Sequence, residues 1–268
     1  MHPMLNVAIQ AIRKAGNFII KQYEFLDHNN IKSSSSHMRS FILKTHKESN
    51  RIIIEVIKKF YPLHIINTYN TYIISNDYYN NNIQWIIESI DNNTNFIKQF
   101  PFFALSIAVQ CKTHIEIGVI YDPIHNELFS ACRGTGAQLN GYRIRLNNYD
   151  SQKLNTAVFA ISYPYPIHNT IIKIFNKLQK QYTNIDFRIT GSTILNCAYV
   201  ASGRVDGCFI LPTKPMNKLA SGALIIRESG GLITDFNGNN IHNDQFSENI
   251  IAGHSKIIKN ILSIIKLS

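Results

Sequence analysis

Residues 85–96 read Trp85-Ile86-Ile87-Glu88-Ser89-Ile90-Asp91-Asn92-Asn93-Thr94-Asn95-Phe96. The apolar run from Ile83 to Ile87 suits a strand, and two carboxylates, Glu88 and Asp91, follow at its end. An Asp in that place serves equally well as a cap for the next helical turn or as an oxygen ligand to a metal. Upstream, Ile65-Ile66 suits a further strand, and Asn70 to Asn82, rich in Asn and Tyr, an irregular surface loop. Residues 44–60 carry Ile52, Ile53, Val56, Ile57 and Phe60 at helical spacing, and residues 2–27 repeat that spacing with Leu5, Ala8, Ile9, Ile12, Ala15, Ile19 and Ile20. The polar stretch Asp27 to Met38, with Ser33-Ser34-Ser35-Ser36 inside it, reads as a loop between them.

Downstream, Phe103 to Val109 and Ile115 to Tyr121 suit strands. Thr170 to Gln181 and Ser192 to Ser202 read as helices, the second closed by Gly203. Lys218 to Ser229 reads as another, stopped by Gly230-Gly231, and Ile258 to Ile265 as the last. Helices and strands interleave without a strict βαβ rhythm, which predicts one layered α/β (α+β) domain over residues 1–268.

Composition supports a folded chain. Hydrophobic residues make up 45% of the 268 and charged residues 16%, enough to bury a core and too apolar for a disordered chain. Apolar runs stop far short of the roughly 20 residues that span a bilayer, and MHPMLNVAIQ lacks the pattern of a signal peptide, so a cytoplasmic location is expected. Cys111, Cys132, Cys197 and Cys208 form no CxxC pair and read as free thiols. The net charge of +10 favours acidic or polyanionic partners. AT-rich codons would produce the same excess of Lys, Asn and Ile.

The stretch from Trp85 to Phe96 resembles the signature W-[IV]-I-D-P-[IL]-D-G-T-x-N-F of the inositol monophosphatase family. Its flanks agree as well: Tyr121-Asp122-Pro123, Asn126-Glu127-Leu128-Phe129, Arg133-Gly134-Thr135-Gly136-Ala137, Gly191-Ser192, Gly203-Arg204-Val205-Asp206-Gly207 and Arg227-Glu228-Ser229-Gly230-Gly231. The resemblance covers nearly the whole chain. It implies a layered α-β-α-β-α sandwich and, in active members, hydrolysis of inositol phosphates at two or three Mg²⁺ ions held by carboxylates.

Several family positions are altered. By the resemblance, Glu88 and Asp91 stand at metal-binding carboxylates, with Ile90 beside them as a further metal and substrate contact. Tyr69 stands where the first metal-binding Glu is expected, and Ser89 replaces the signature proline. Asn92 and Asn93 replace the Gly-Thr that approaches phosphate and orients water; with Ile90, Asp91 and Arg188 they complete the substrate-binding set that the resemblance implies. The distal metal-binding Asp falls on Asn217 or Lys218, depending on the direction of counting. His46 stands at an acidic loop position, Ser36 near a mobile-loop Lys, and Ile210 near an acidic residue that contacts inositol. Arg188 lines the cleft or a subunit interface in relatives; a structural ion pair fits it equally.

Losing three carboxylate ligands predicts impaired or absent hydrolysis and a Mg²⁺ site that is weak or lost, since each such electrostatic contact is typically worth about 10²–10³ in rate. The opening MHPMLN with Lys14-Ala15-Gly16-Asn17 resembles a bacterial branch of the family that acts as a Nus factor. That resemblance implies NusA, RNA polymerase and the rRNA leader transcript as partners, with a weak homodimer. Two other readings stand beside it: a residual Mg²⁺-dependent phosphatase, and a relic with neither activity.

Overall fold

The computed structural model describes residues 2–28, 35–68, 71–73, 83–146, 155–162, 169–182, 184–211, 219–241 and 249–266. Two long helices come first, α1 (Pro3–His28) and α2 (Ser35–Phe60). In α1, Leu5, Ala8, Ile12, Ala15 and Ile19 are buried on one face, as the spacing requires. Each fully buried isoleucine there contributes about 1.5–3 kcal/mol. Ser35 to Met38 belong to α2, so the polar stretch read as a loop runs into helix at both ends. Within the helical part of that stretch, His37 is exposed.

The helices cover one face of an eight-stranded sheet ordered β2-β1-β3-β4-β5-β6-β7-β8. Its strands are β1 (Ile65–Thr68), β2 (Thr71–Ile73), β3 (Ile83–Glu88), β4 (Leu105–Cys111), β5 (His114–Asp122), β6 (Glu127–Cys132), β7 (Gly136–Leu139) and β8 (Tyr142–Ile144). β1 and β3 are parallel; every other pairing in this sheet is antiparallel. β2 corrects the reading of Asn70 to Asn82 as irregular throughout, since Thr71–Ile73 pair with β1 in the register Ile66↔Ile73. A three-residue edge strand is too short to show alternation in sequence.

The second sheet has the order β10-β9-β11-β13-β12, built from β9 (Val158–Ser162), β10 (Asp186–Arg188), β11 (Gly207–Ile210), β12 (Leu232–Asp235) and β13 (Ile250–Gly253). β9 is parallel to both β10 and β11; β13 is antiparallel to β11 and β12. Between the sheets lie α5 (Thr193–Ala201) and α6 (Ala220–Glu228), whose Leu195, Ala198, Ala223 and Ile226 join Ile120 and Phe129 of the first sheet and Cys208 and Ala252 of the second in one core. α4 (Asn169–Gln181) and α7 (Ser255–Lys266) cover the outer face of the second sheet. A short helix, α3 (Asn93–Ile97), follows β3. The result is the α-β-α-β-α layering that the resemblance implied.

Candidate functional site

β3 delivers its last residues to the rim of the first sheet. Glu88 ends the strand with only 5% of its surface exposed, Ser89 is buried beside it, and the Ile90 side chain points into the core under α1 and α2. Any contact from Ile90 to the rim is therefore made by its backbone. Asp91 then makes two bonds with Ala104, the residue before β4: its N–H donates to the Ala104 carbonyl at 3.1 Å, and its side-chain Oδ1 accepts from the Ala104 N–H at 2.9 Å.

The other carboxylate oxygen of Asp91 reaches across to α5. Oδ2 accepts from the Ser192 hydroxyl and, at 3.3 Å, from the Ile194 N–H in the first helical turn. A carboxylate in this place meets the positive end of the helix dipole. The residue that caps the turn after β3 is Asn92, whose Oδ1 accepts from Asn95 N–H at 2.8 Å. This corrects the reading of Asp91 as that cap: Asp91 serves the α5 end instead.

Two further bonds stitch the same two segments together, and a third ties Asn95 to Phe102. Asn92 Nδ2 donates to the Gly191 carbonyl at 2.7 Å, and Asn95 Nδ2 donates to Thr190 O at 2.7 Å and Phe102 O at 2.6 Å. Gly191 has φ +89°, and a Cβ there would stand 2.6 Å from Asn92 Nδ2, so this approach requires glycine. Sequence reasoning did not find the clamp between residues 91–95 and 190–194, because its partners lie about a hundred positions apart.

His46 reaches the rim from α2. Its Nδ1 lies 2.7 Å from Ser89 Oγ and its Nε2 lies 2.6 Å from Asn93 Oδ1. Because the Asn93 oxygen accepts, the pairing assigns the ring proton to Nε2 and leaves Nδ1 to accept from the Ser89 hydroxyl. All three residues depart from the family signature, and they close into one polar chain. The signal was present in the sequence only as three separate departures.

Arg188 and Ile210 lie elsewhere. Arg188, on β10, is exposed and pairs with Asp186 at 2.8 Å, a hydrogen bond that holds the Asp186 carboxyl below its usual range. Ile210 is 3% exposed within β11 and sits in the central core, so it offers no contact to a cleft. Ser36 lies in the first turn of α2. Tyr69, Asn217 and Lys218 lie outside the described residues. Among the described residues no group of three His, Cys, Asp or Glu side chains is placed to hold a metal ion.

Other acidic residues in the matching motifs hold the frame. Glu228 accepts from the backbone N–H groups of Gly134 and Gly136, both at 2.7 Å. Asp206 accepts from Val158 N–H at 2.8 Å. Glu127 takes both guanidinium arms of Arg204, whose plane also lies over the Tyr199 ring at 4.8 Å; this hydrogen bonding holds the Glu127 carboxyl low. The four cysteines are free, as expected, and Cys132, Cys197 and Cys208 are buried. A hydrogen bond with Cys197, then burial, pushes the Cys208 thiol well up. No helix among the described residues is long and apolar enough to cross a membrane.

Comparison with known proteins identifies the family and the fold. The model of the inositol monophosphatase family matches residues 1–266; that family is in general Mg²⁺-dependent. The Nus factor SuhB of Escherichia coli K12 is 42% identical over 266 residues, covering 98% of this chain and 96% of that protein. The Nus factor SuhB of Buchnera aphidicola subsp. Schizaphis graminum is 47% identical over 242 residues, covering 89% and 86%. The crystal structure of the extragenic suppressor protein suhB from Bartonella henselae superposes with a TM-score of 0.84 at 30% identity over 99% of both chains. On its signature, its layering and these matches, the chain belongs to the inositol monophosphatase family.

Proposed function

We propose that this chain is a Nus-factor-like component of a ribosomal RNA transcription antitermination complex. In this reading it binds NusA and RNA polymerase, aids rRNA transcription and folding, and works in the cytoplasm as one domain and a weak homodimer. The observation that carries the reading is the use made of Asp91. Both of its oxygens accept structural hydrogen bonds, from Ala104 N–H, the Ser192 hydroxyl and Ile194 N–H. His46, Ser89 and Asn93 are joined to one another at the same rim. Tyr69 and Asn217 or Lys218 add no carboxylate at the remaining ligand positions. This donor set does not fit a cluster of Mg²⁺ ions, which needs oxygen ligands in near-octahedral array. The names carried by the relatives at 42% and 47% identity point the same way.

Two measurements test the proposal. Immobilised NusA and RNA polymerase should each retain the purified chain. A Mg²⁺ titration with inositol 1-phosphate should release phosphate at a rate at least about 10³-fold below an intact family member. Turnover near that of the intact member, abolished by Asp91→Asn, would establish the phosphatase reading instead. Sedimentation across concentration should show reversible dimerisation; a strict monomer at high concentration contradicts that part.

A further inference from the structure

Among the described residues four arginines have an acid beside them: Arg51 with Glu48 and Glu55, Arg133 with Glu116, Arg188 with Asp186, Arg204 with Glu127. The outermost helix layer is different. α4 reads NTIIKIFNKLQKQ and α7 reads SKIIKNILSIIK, with no Asp or Glu in either. Lys173, Lys180, Lys256 and Lys259 are exposed and Lys177 is half-buried. Among the described residues no lysine forms an ion pair; what sets this layer apart is that neither helix carries an acid among its lysines. Between the C-terminal turns of the two helices lies an open groove of about 390 Å³, lined by Lys177, Lys180, Gln181 and Ile264.

Helix stability does not account for this charge. Lys180 in the last turn of α4 complements the helix dipole, but Lys256 stands in the first turn of α7, where a cation opposes it. Lys173 with Lys177, Lys177 with Lys180, and Lys256 with Lys259 are spaced three or four apart on one helix, where like charges repel. Apart from the dipole contact of Lys180, the lysines therefore act against the elements that carry them, as expected of groups placed for a partner.

We propose that the α4–α7 face binds the phosphate backbone of single-stranded RNA. The inference rests on the function proposed above and names the surface through which the chain would meet a transcript. Lys173, Lys177 and Lys180 form a row about 10 Å long on one side of α4. Lysine is a compact, strongly hydrated charge. It is depleted in protein–protein interfaces, whereas phosphate contacts gain from counterion release and need no shape match. Binding through this face is accordingly independent of base sequence.

The test uses the full chain and a fluorescently labelled oligouridine of about 20 nucleotides, followed by anisotropy from about 50 to about 200 mM KCl. The variant is Lys173→Gln/Lys177→Gln/Lys259→Gln, which keeps the side-chain stems. The control, Lys14→Gln/Lys21→Gln/Lys44→Gln, removes the same charge from exposed positions on α1 and α2. Lys180→Gln/Lys256→Gln tests the same face through different side chains should the first variant lose its circular dichroism spectrum. The face variant should bind about tenfold more weakly, with a logarithmic salt slope shallower by about 2, while the control binds as the wild type does. Equal weakening in both variants, or none in the face variant, overturns the proposal. Loss of NusA retention by the face variant with RNA binding unchanged assigns the face to an acidic protein and also overturns it. Wild-type chain that is retained by NusA but does not bind RNA defeats this inference and leaves the proposed function standing. RNA binding that depends on the face, without NusA retention, supports the inference and defeats that function.

Discussion

Asp91 shows how one carboxylate can be committed to structure. Three donors converge on it from two different elements, so Asp91→Asn should lose about 1–3 kcal/mol of stability in urea unfolding, because one oxygen becomes a donor facing donors. A loss below about 0.5 kcal/mol would contradict that role. His64 supplies a second test at this scale. Its Nδ1 accepts from the indole N–H of Trp85 at 3.0 Å, and burial, aided by Lys58, holds its pKa below the usual imidazole value. An unfolded histidine takes up its proton near pH 6.5, before the folded one does. Stability is therefore full above about pH 6.5 and declines as pH falls toward the lower folded value. Melting temperature should drop over that acid range, and His64→Gln, which keeps an acceptor, should reduce the slope; an unchanged slope refutes the assignment. Trp85 is the sole tryptophan, so its emission reports the same event. Residue identities at the rim were legible in the sequence through the family signature. Their roles were not, since the bond that Asn92 donates to Gly191 and those that Asp91 accepts from Ser192 and Ile194 depend on a fold that brings them together.

At the scale of elements, the two central helices meet the first sheet and each other through glycine. A Cβ on Gly118 of β5 would stand 2.7 Å from the Ser221 carbonyl oxygen of α6, and one on Gly222 would stand 2.6 Å from Cys197 Cβ of α5. Gly222→Ala should cost about 1–3 kcal/mol by forcing α5 and α6 apart, read as a lower urea midpoint; an unchanged midpoint would show that the layer can relax. Ser221, beside it, is buried with a hydroxyl that has no hydrogen-bond partner among the described residues. Ser221→Ala should therefore stabilise the chain by about 1 kcal/mol, visible as a higher melting temperature. Helix ends were legible where local chemistry sets them. Ser192 caps α5 through Leu195 N–H, and Gly203 follows the last turn with φ +72°. Strands β9, β11, β12 and β13 went unread in the sequence because each is only four or five residues long and mostly buried. Such short apolar runs show no alternation.

For the molecule as a whole, the decisive feature is that α5 and α6 belong to both sheets. Ile120 and Phe129 from one side and Cys208 and Ala252 from the other enter a single core around them. Neither sheet can lose its partner without exposing that core, so unfolding should be one cooperative event. Trp85 emission, which reports the first sheet, and far-UV circular dichroism should trace superimposable denaturation curves; two separated midpoints would show independent halves. The layering followed from the resemblance, but strand order did not. Nothing local in Gly207–Ile210 indicates that it lies between β9 and β13. The shared layer also sets a constraint on synthesis. The first sheet is complete once Ile144 has been made, whereas the helices that cover its second face end only at Glu228. A growing chain thus carries Ile120, Phe129 and Ala131 bare to solvent through the interval, and such exposed apolar surface invites premature association unless a chaperone shields the nascent polypeptide.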